Sequence, residues 1–206
     1  MMGYEDFKRV NSKVNNVLDE CIHVAKKCSP TIIYRKSKVN IADNKLILNK
    51  KYSFNSNNLV EKFKNCDQVI TSVMTAGRET EELIKEYSQI GALEGYIMDT
   101  VASYIIEKLS EEFWNETRKK YNKNGKNITN CVSPGNNDFP LSEQKVIFNY
   151  LQPNKIGVSI SDSYVIEPIK SLSLLIGVGE EITQAQKAHD CNDCDMEDCF
   201  LKGVIH

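Results

Sequence analysis

Apolar residues at spacings of three and four, Val14, Val17, Leu18, Cys21, Ile22, Ala25 and Cys28, mark one face of an amphipathic helix that Ser29-Pro30 ends. Cys21 and Cys28 fall on that face, where free thiols behave as small buried hydrophobes. The β-rich pieces TIIYRK and KLILN come next, with Ala42-Asp43-Asn44 between them, and predict a hairpin. Leu59, Val60 and Phe63 behind a polar start predict a short helix capped by Ser56 or Asn57. Residues 67–75, DQVITSVMT, read as a buried strand, and Ala76-Gly77 opens a helix. The first amides of that helix could hold an anion, although a glycine there also serves simply to ease the turn.

The strongest pattern in the chain spans residues 92–121, where Leu93, Ile97, Val101, Ile105, Leu109 and Phe113 recur near every fourth position. It predicts a long helix with a broad buried face, and the single Trp114 covers the edge of the core. Residues 122–130, NKNGKNITN, have no period and read as an exposed loop between two lobes. Leu141, Val146, Ile147, Phe148 and Leu151 predict a helix from near Ser142 to just before Pro153. Ile156, Val158 and Ile160 alternate as in a half-buried strand, whereas residues 172–178 are continuously apolar and suit the centre of a sheet.

At 206 residues the chain can bury a substantial core without staples. A formal net charge of -2 and a pI near 6.0 give no global basic field, which argues against nucleic acid as a partner. The basic stretch 118–126 lacks regular aromatic interleaving and reads as a solvated surface. The start, MMGYEDFKRVNSKV, has no apolar signal core, and no run approaches the roughly 18 apolar residues of a membrane span. The expected location is cytoplasmic, with no membrane partner. In that setting seven cysteines are reduced thiols or metal ligands rather than disulfides.

Two stretches carry candidate chemistry. Residues 131–141, CVSPGNNDFPL, form a Pro-Gly turn of the kind that lines a site. Residues 189–199 set Cys191, Cys194 and Cys199 at C-x2-C-x4-C spacing beside His189. Three thiolates and an imidazole would complete a tetrahedral zinc site, three thiolates would also suit an iron–sulfur cluster, and free or redox-active thiols are the alternative. His23 beside an apolar face reads as a structural histidine, and no hydrolase triad or Gly-rich nucleotide loop is present.

The order Ser133-Pro134-Gly135, Asp138, Pro140-Leu141, Ile156-Gly157-Val158, Asp162-Ser163, Pro168 and Lys170-Ser171-Leu172-Ser173 resembles the activation (reactivation) domain of cobalamin-dependent methionine synthase, and most closely its stand-alone versions. The resemblance implies an α+β fold, a bent, mainly antiparallel sheet packed with helices. It divides the chain into an N-terminal helix and hairpin region (1–66), an activation-domain-like core (67–182) and a Cys-rich tail (183–206). It also implies S-adenosylmethionine (AdoMet) as ligand and docking on a corrinoid-binding methyltransferase, a methionine synthase lacking its own activation domain. There, oxidised cobalamin on the partner would be reduced and remethylated, with a reductase or flavodoxin as electron source.

On this resemblance the ligand-binding residues are Ser133, Gly135, Asn136, Asp138 and Glu107, with Tyr104 beside them, and the metal set is Cys191, Cys194, Cys199 and His189. The chain departs from the full-length enzymes at four places. Cys131 stands where an arginine would pair with the ligand carboxylate, Asn136 stands in place of a tyrosine, Ser103 stands where an acidic side chain would meet the ligand, and no tyrosine follows Tyr164 to supply the remaining aromatic contact. The protein is then an accessory to a methyltransferase, without a catalytic base of its own. The contrasting reading is a metal-binding or iron–sulfur redox and interaction module that has lost AdoMet.

Overall fold

The computed structural model describes the backbone of residues 4–189 and the side chains of residues 11–189. In chain order the helices are α1 (Tyr4–Ala25), α2 (Asn57–Phe63), α3 (Arg78–Ile90), α4 (Ala92–Asn122) and α5 (Gln144–Leu151). The strands are β1 (Thr31–Lys38), β2 (Asn40–Ala42), β3 (Lys45–Leu48), β4 (Tyr52–Phe54), β5 (Gln68–Thr75), β6 (Asn127–Ile128), β7 (Ser159–Ile160), β8 (Ile166–Glu167) and β9 (Ser171–Gly179).

The central sheet has the order β1-β5-β9-β6, antiparallel throughout. Thr31 lies opposite Thr75, and Thr75 opposite Ser171, so the three long strands are aligned end to end. Both inner strands are buried on both faces, which is why their sequences run apolar without alternating. Val69, Val73 and Leu175 join Leu46, Phe54, Phe63, Phe139 and Tyr150 on one side. Ile70, Met74, Leu174, Ile176 and Val178 meet Ile106, Trp114 and Tyr121 of α4 on the other. A small sheet, β2-β3-β4, packs beside α2 and α5 on the first side. α1 and α3 lie against the N-terminal half of α4 through Cys21, Tyr87, Ile97, Met98 and Ala102. This is the α+β arrangement of antiparallel sheet and helices that the sequence implies. Among the described residues no helix is long and apolar enough to cross a membrane.

Two glycines permit close approaches. A Cβ on Gly95 would lie 2.9 Å from the Ser88 Cα, so the glycine lets α3 cross close to α4. One on Gly177 would strike the Phe63 ring at 2.6 Å, where α2 rests on β9.

Several elements differ from the sequence expectation. TIIYRK does not pair with KLIL. It takes the full eight-residue edge of β5, and the hairpin partner of β3 is the short Asn40–Ala42. The tight turn does fall at Asp43-Asn44, with φ of 51 and 58, the left-handed pair a two-residue hairpin needs. α1 ends at Ala25, leaving Cys28 half-buried beyond it. The polar loop after α4 contains β6, because Ile128 is fully buried against α4 while its neighbours stay polar. Ile156 ends a 3-10 turn, and only Ser159–Ile160 of the expected strand pairs, with β8.

Candidate functional site

The turn after β6 is built from directional bonds. Val132 exchanges two backbone hydrogen bonds with Leu175 (2.9 and 2.8 Å), which prolongs the β6 edge to the mouth of the turn. Gly135 has φ +99, a conformation that side chains rarely adopt, and its amide donates to the Phe139 carbonyl at 2.7 Å. Asn136 N donates to Ser133 O, and Phe139 N to Asn136 O. Phe139 is wholly buried and meets Phe54 edge-to-face at 5.5 Å.

Asp138 closes the turn onto α2. Its carboxylate accepts from Ser56 Oγ (2.6 Å), Asn57 N (2.7 Å) and Asn58 N (3.2 Å), while Ser56 Oγ itself accepts from Leu59 N. The first amides of α2 are thereby satisfied from both sides. The Ser56 hydroxyl, with these amides, holds the Asp138 carboxyl below the ordinary aspartate value. Nearby, Glu143 accepts from Asn55 N at 3.3 Å.

The structure therefore brings Ser133, Gly135, Asn136 and Asp138 into one turn. Ser133 is half-buried and Gly135 and Asn136 are exposed, but the Asp138 carboxylate is engaged by α2. Cys131 is buried, and burial pushes its thiol up to about 12. Glu107 stands exposed on α4 and shares no hydrogen bond with the turn among the described residues. Tyr104 is 58% exposed, with the Lys108 ammonium over its ring.

Three groups escaped the sequence patterns. The Lys170 ammonium donates to Ser103 Oγ at 2.8 Å and pairs with Asp99 at 2.8 Å, from a side chain only 14% exposed. A lysine at the start of an apolar strand carries no signal of this contact. Residues 182–188 have no regular structure and run beside residues 127–131 as a strap. Ala185 N donates to Ile128 O (3.0 Å), Ile128 N to Gln184 Oε1 (3.3 Å), Asn130 Nδ2 to Lys187 O (3.1 Å) and Cys131 N to Ala188 O (2.7 Å). Asn127 Nδ2 bonds Ile182 O in the same order. Finally, the Glu79 carboxylate lies over Gly77, so an acidic side chain occupies the start of α3, in keeping with a glycine that eases the turn rather than one that holds an anion.

Among the described residues two clefts stand out. A polar one of about 280 Å³ lies among Ser29, Thr31, Thr75, Arg78, Gly157 and Pro168. An apolar groove of about 590 Å³ lies between α1 and α4, floored by Ala25, Val101 and Ile105 and rimmed by Leu18, Ile22 and Tyr104. Ser133, Gly135, Asn136, Asp138 and Glu107 line neither.

Among the described residues no three His, Cys, Asp or Glu side chains are grouped to hold a metal. His189 is exposed, and Cys191, Cys194 and Cys199 lie outside the described residues. For an AdoMet-class ligand the turn offers a half-buried hydroxyl and exposed backbone at Gly135 and Asn136. The Lys170 ammonium bonds Ser103 and Asp99 of α4 next to the start of β9, whereas the turn joins the sheet at Leu175.

No family model matches the sequence, and no curated protein matches it. In three dimensions the chain is similar to a crystal structure of the MetH reactivation domain bound to AdoHcy, with a TM-score of 0.55 and 14% identity. The match covers 89% of this chain and 69% of that one. The shared property is the fold.

Proposed function

We propose that this protein is a stand-alone counterpart of the methionine synthase reactivation domain. It docks on a corrinoid-binding methyltransferase that lacks such a domain and supports its reductive reactivation, in a cytoplasmic setting with a reductase or flavodoxin as electron donor. The observation that carries the proposal is the fold shared over 89% of the chain with a domain bound to AdoHcy. The residue order around Ser133-Pro134-Gly135 adds support from the sequence.

When bound, AdoMet supplies an electrophilic methyl group to a reduced cobalt held by the partner. The chain's own part is to hold and orient. Ser133 and the Gly135 backbone present polar groups at a turn that Phe139 and Asp138 keep fixed. Calorimetry with AdoMet and AdoHcy tests the ligand, and a pull-down with a corrinoid methyltransferase tests the docking. No heat at millimolar ligand would remove AdoMet from the proposal.

A second reading keeps the docking platform and replaces AdoMet by a thiol-held zinc ion or iron–sulfur cluster at Cys191, Cys194 and Cys199, with His189. It is favoured by the engagement of Asp138 with α2 and the burial of Cys131, which withdraw two side chains from ligand contact. Docking without ligand heat would select it.

A further inference from the structure

The central sheet has two edges, and the fold treats them differently. At the β6 edge, Ile128 N donates to Gln184 Oε1 (3.3 Å) and Ala185 N to Ile128 O (3.0 Å), so the strap of residues 182–188 closes that side. β1, at the other edge, is eight residues long and pairs with β5 along its whole length. Val39 N donates to Asp67 O at 3.0 Å, which continues the Lys38–Gln68 register by one residue. Antiparallel strands bond a given neighbour at every second residue. Ile33, Arg35 and Ser37 therefore bond β5, while Ile32, Tyr34, Lys36 and Lys38 turn their N–H and C=O groups outward. Among the described residues, no hydrogen bond reaches these outward groups.

The chemistry along this open edge is graded. Ile32 and Ile33 pack against the cores on the two faces of the sheet, and the Tyr34 ring, 49% exposed, lies 5.3 Å from that of Phe113. Arg35, Lys36 and Lys38 follow, all exposed. The Arg35 guanidinium sits over the Tyr150 ring at 4.8 Å and the Lys36 ammonium over the Tyr121 ring at 5.1 Å. These rings hold the two cations beside the edge on opposite faces of the sheet. Among the described residues none of the three cations is paired with a carboxylate, and β1 itself contains no acid. Cations on an edge repel a strand of the same sign, so two copies of β1 are poorly suited to join edge to edge. A strand of the opposite sign meets no such barrier.

We propose that the β1 edge is a docking site for an extended acidic segment of a partner protein, which adds to the four-stranded central sheet as a further strand. An antiparallel arrival sets the segment's acidic residues first, opposite Lys38, Lys36 and Arg35, and its β-branched residues after them, opposite Tyr34, Ile33 and Ile32. The row of outward backbone groups selects a polypeptide over a nucleic acid, because only a strand satisfies those groups in register. Main-chain bonds give the affinity, and the charges select the sequence. The inference does not rest on the candidate turn, which joins the sheet at the opposite edge through Val132 and Leu175.

The test uses the full chain and a capped peptide of about ten residues, with Glu and Asp in its first half and Val and Thr in its second. The same peptide with Lys in place of every acid, and a single-stranded oligothymidine, are the comparisons. Binding is read by fluorescence anisotropy and, at saturation, by amide hydrogen exchange. The acidic peptide is expected to bind and to slow exchange about tenfold at the Ile32, Tyr34, Lys36 and Lys38 amides, leaving Ile33, Arg35 and Ser37 unchanged. Arg35→Glu/Lys38→Glu is expected to weaken the acidic peptide by about tenfold and to favour the lysine peptide instead. Lys36→Pro removes an outward donor and no bond to β5, and is expected to weaken binding further than Lys36→Ala, with the fold checked by circular dichroism. The proposal is overturned if the acidic peptide does not bind at millimolar concentration, if the two peptides bind alike, or if only the oligothymidine binds. It is equally overturned if the four outward amides are already protected in the free chain, or if the charge-reversed variant keeps the wild-type affinity. A chain that binds no AdoHcy but gains this strand keeps the inference and loses the ligand reading.

Discussion

The turn of residues 131–143 and the groove between α1 and α4 are both surface features, but their residues are held in opposite ways. In the turn, polar groups are spent on the protein itself: Gly135 on Phe139, Asp138 on the start of α2, Glu143 on Asn55. In the groove, Leu18, Ile22 and Tyr104 remain 37%, 43% and 58% exposed over an apolar floor. Directional bonds fix one backbone conformation and can present it to a ligand at little further ordering cost. An apolar groove offers area without direction. The turn thus offers a fixed backbone with few unengaged side chains, and the groove offers apolar area with no fixed direction.

Substitutions can sharpen this contrast. Removing the anchor of the turn has the largest expected effect. Phe139→Ala should cost about 3–5 kcal/mol in chemical denaturation, because a wholly buried ring leaves a cavity between β4 and the turn. Lys170→Met breaks the contacts to Ser103 and Asp99, away from the turn, and should bring a smaller loss in thermal denaturation. A loss as large as that of Phe139→Ala would reverse this order.

Asp138→Asn should cost about 1 kcal/mol at neutral pH, in the range of a lost helix cap. Its pH dependence has a definite sign. The folded carboxyl titrates below its ordinary value, so its contribution is complete above the unfolded pKa near 3.8 and is lost as pH falls through the lower folded one. The stability gap between wild type and Asp138→Asn should therefore be constant above about pH 5 and close below about pH 4. A gap that widened with acid would contradict the cap geometry. The smallest effect belongs to the groove, where Leu18→Ser should shift stability by about 0.5 kcal/mol or less. A loss equal to that of Asp138→Asn would erase the contrast.

How much of this was legible in the sequence depended on whether the determining contact was local. The long α4 helix, the Ser56 cap and the apolar β9 strand could be read from periodicity and capping chemistry, which act over a few residues. The partner of β1 could not, since the choice between β3 and β5 rests on matching an eight-residue edge some 35 residues away. β6 was hidden because two residues are too few to show a period, although Ile128 alone among polar neighbours was a faint signal. At the turn, glycine at position 135 was readable as a backbone requirement, and φ +99 accounts for it. The engagement of Asp138 with α2 was not readable, since Asp138 and Ser56 are 82 residues apart. The Lys170–Ser103 contact was hidden for the same reason.

The thiols enclosed by the fold also determine how the protein meets electrophiles. Burial raises the pKa of Cys21 and Cys28, lifts Cys66 to about 11 and takes Cys131 to about 12. At pH 7 about one Cys66 in ten thousand is a thiolate, and about one Cys131 in a hundred thousand. Alkylating reagents at neutral pH will therefore pass over Cys66 and Cys131, and the half-buried Cys28 is the described thiol most open to them. Fast labelling that rises when a chelator is added would report on Cys191, Cys194 or Cys199 with a metal held there. A single quenched-labelling mass spectrum, taken with and without a chelator, thus reads the state of the C-terminal cysteines in the intact protein, with no mutation needed.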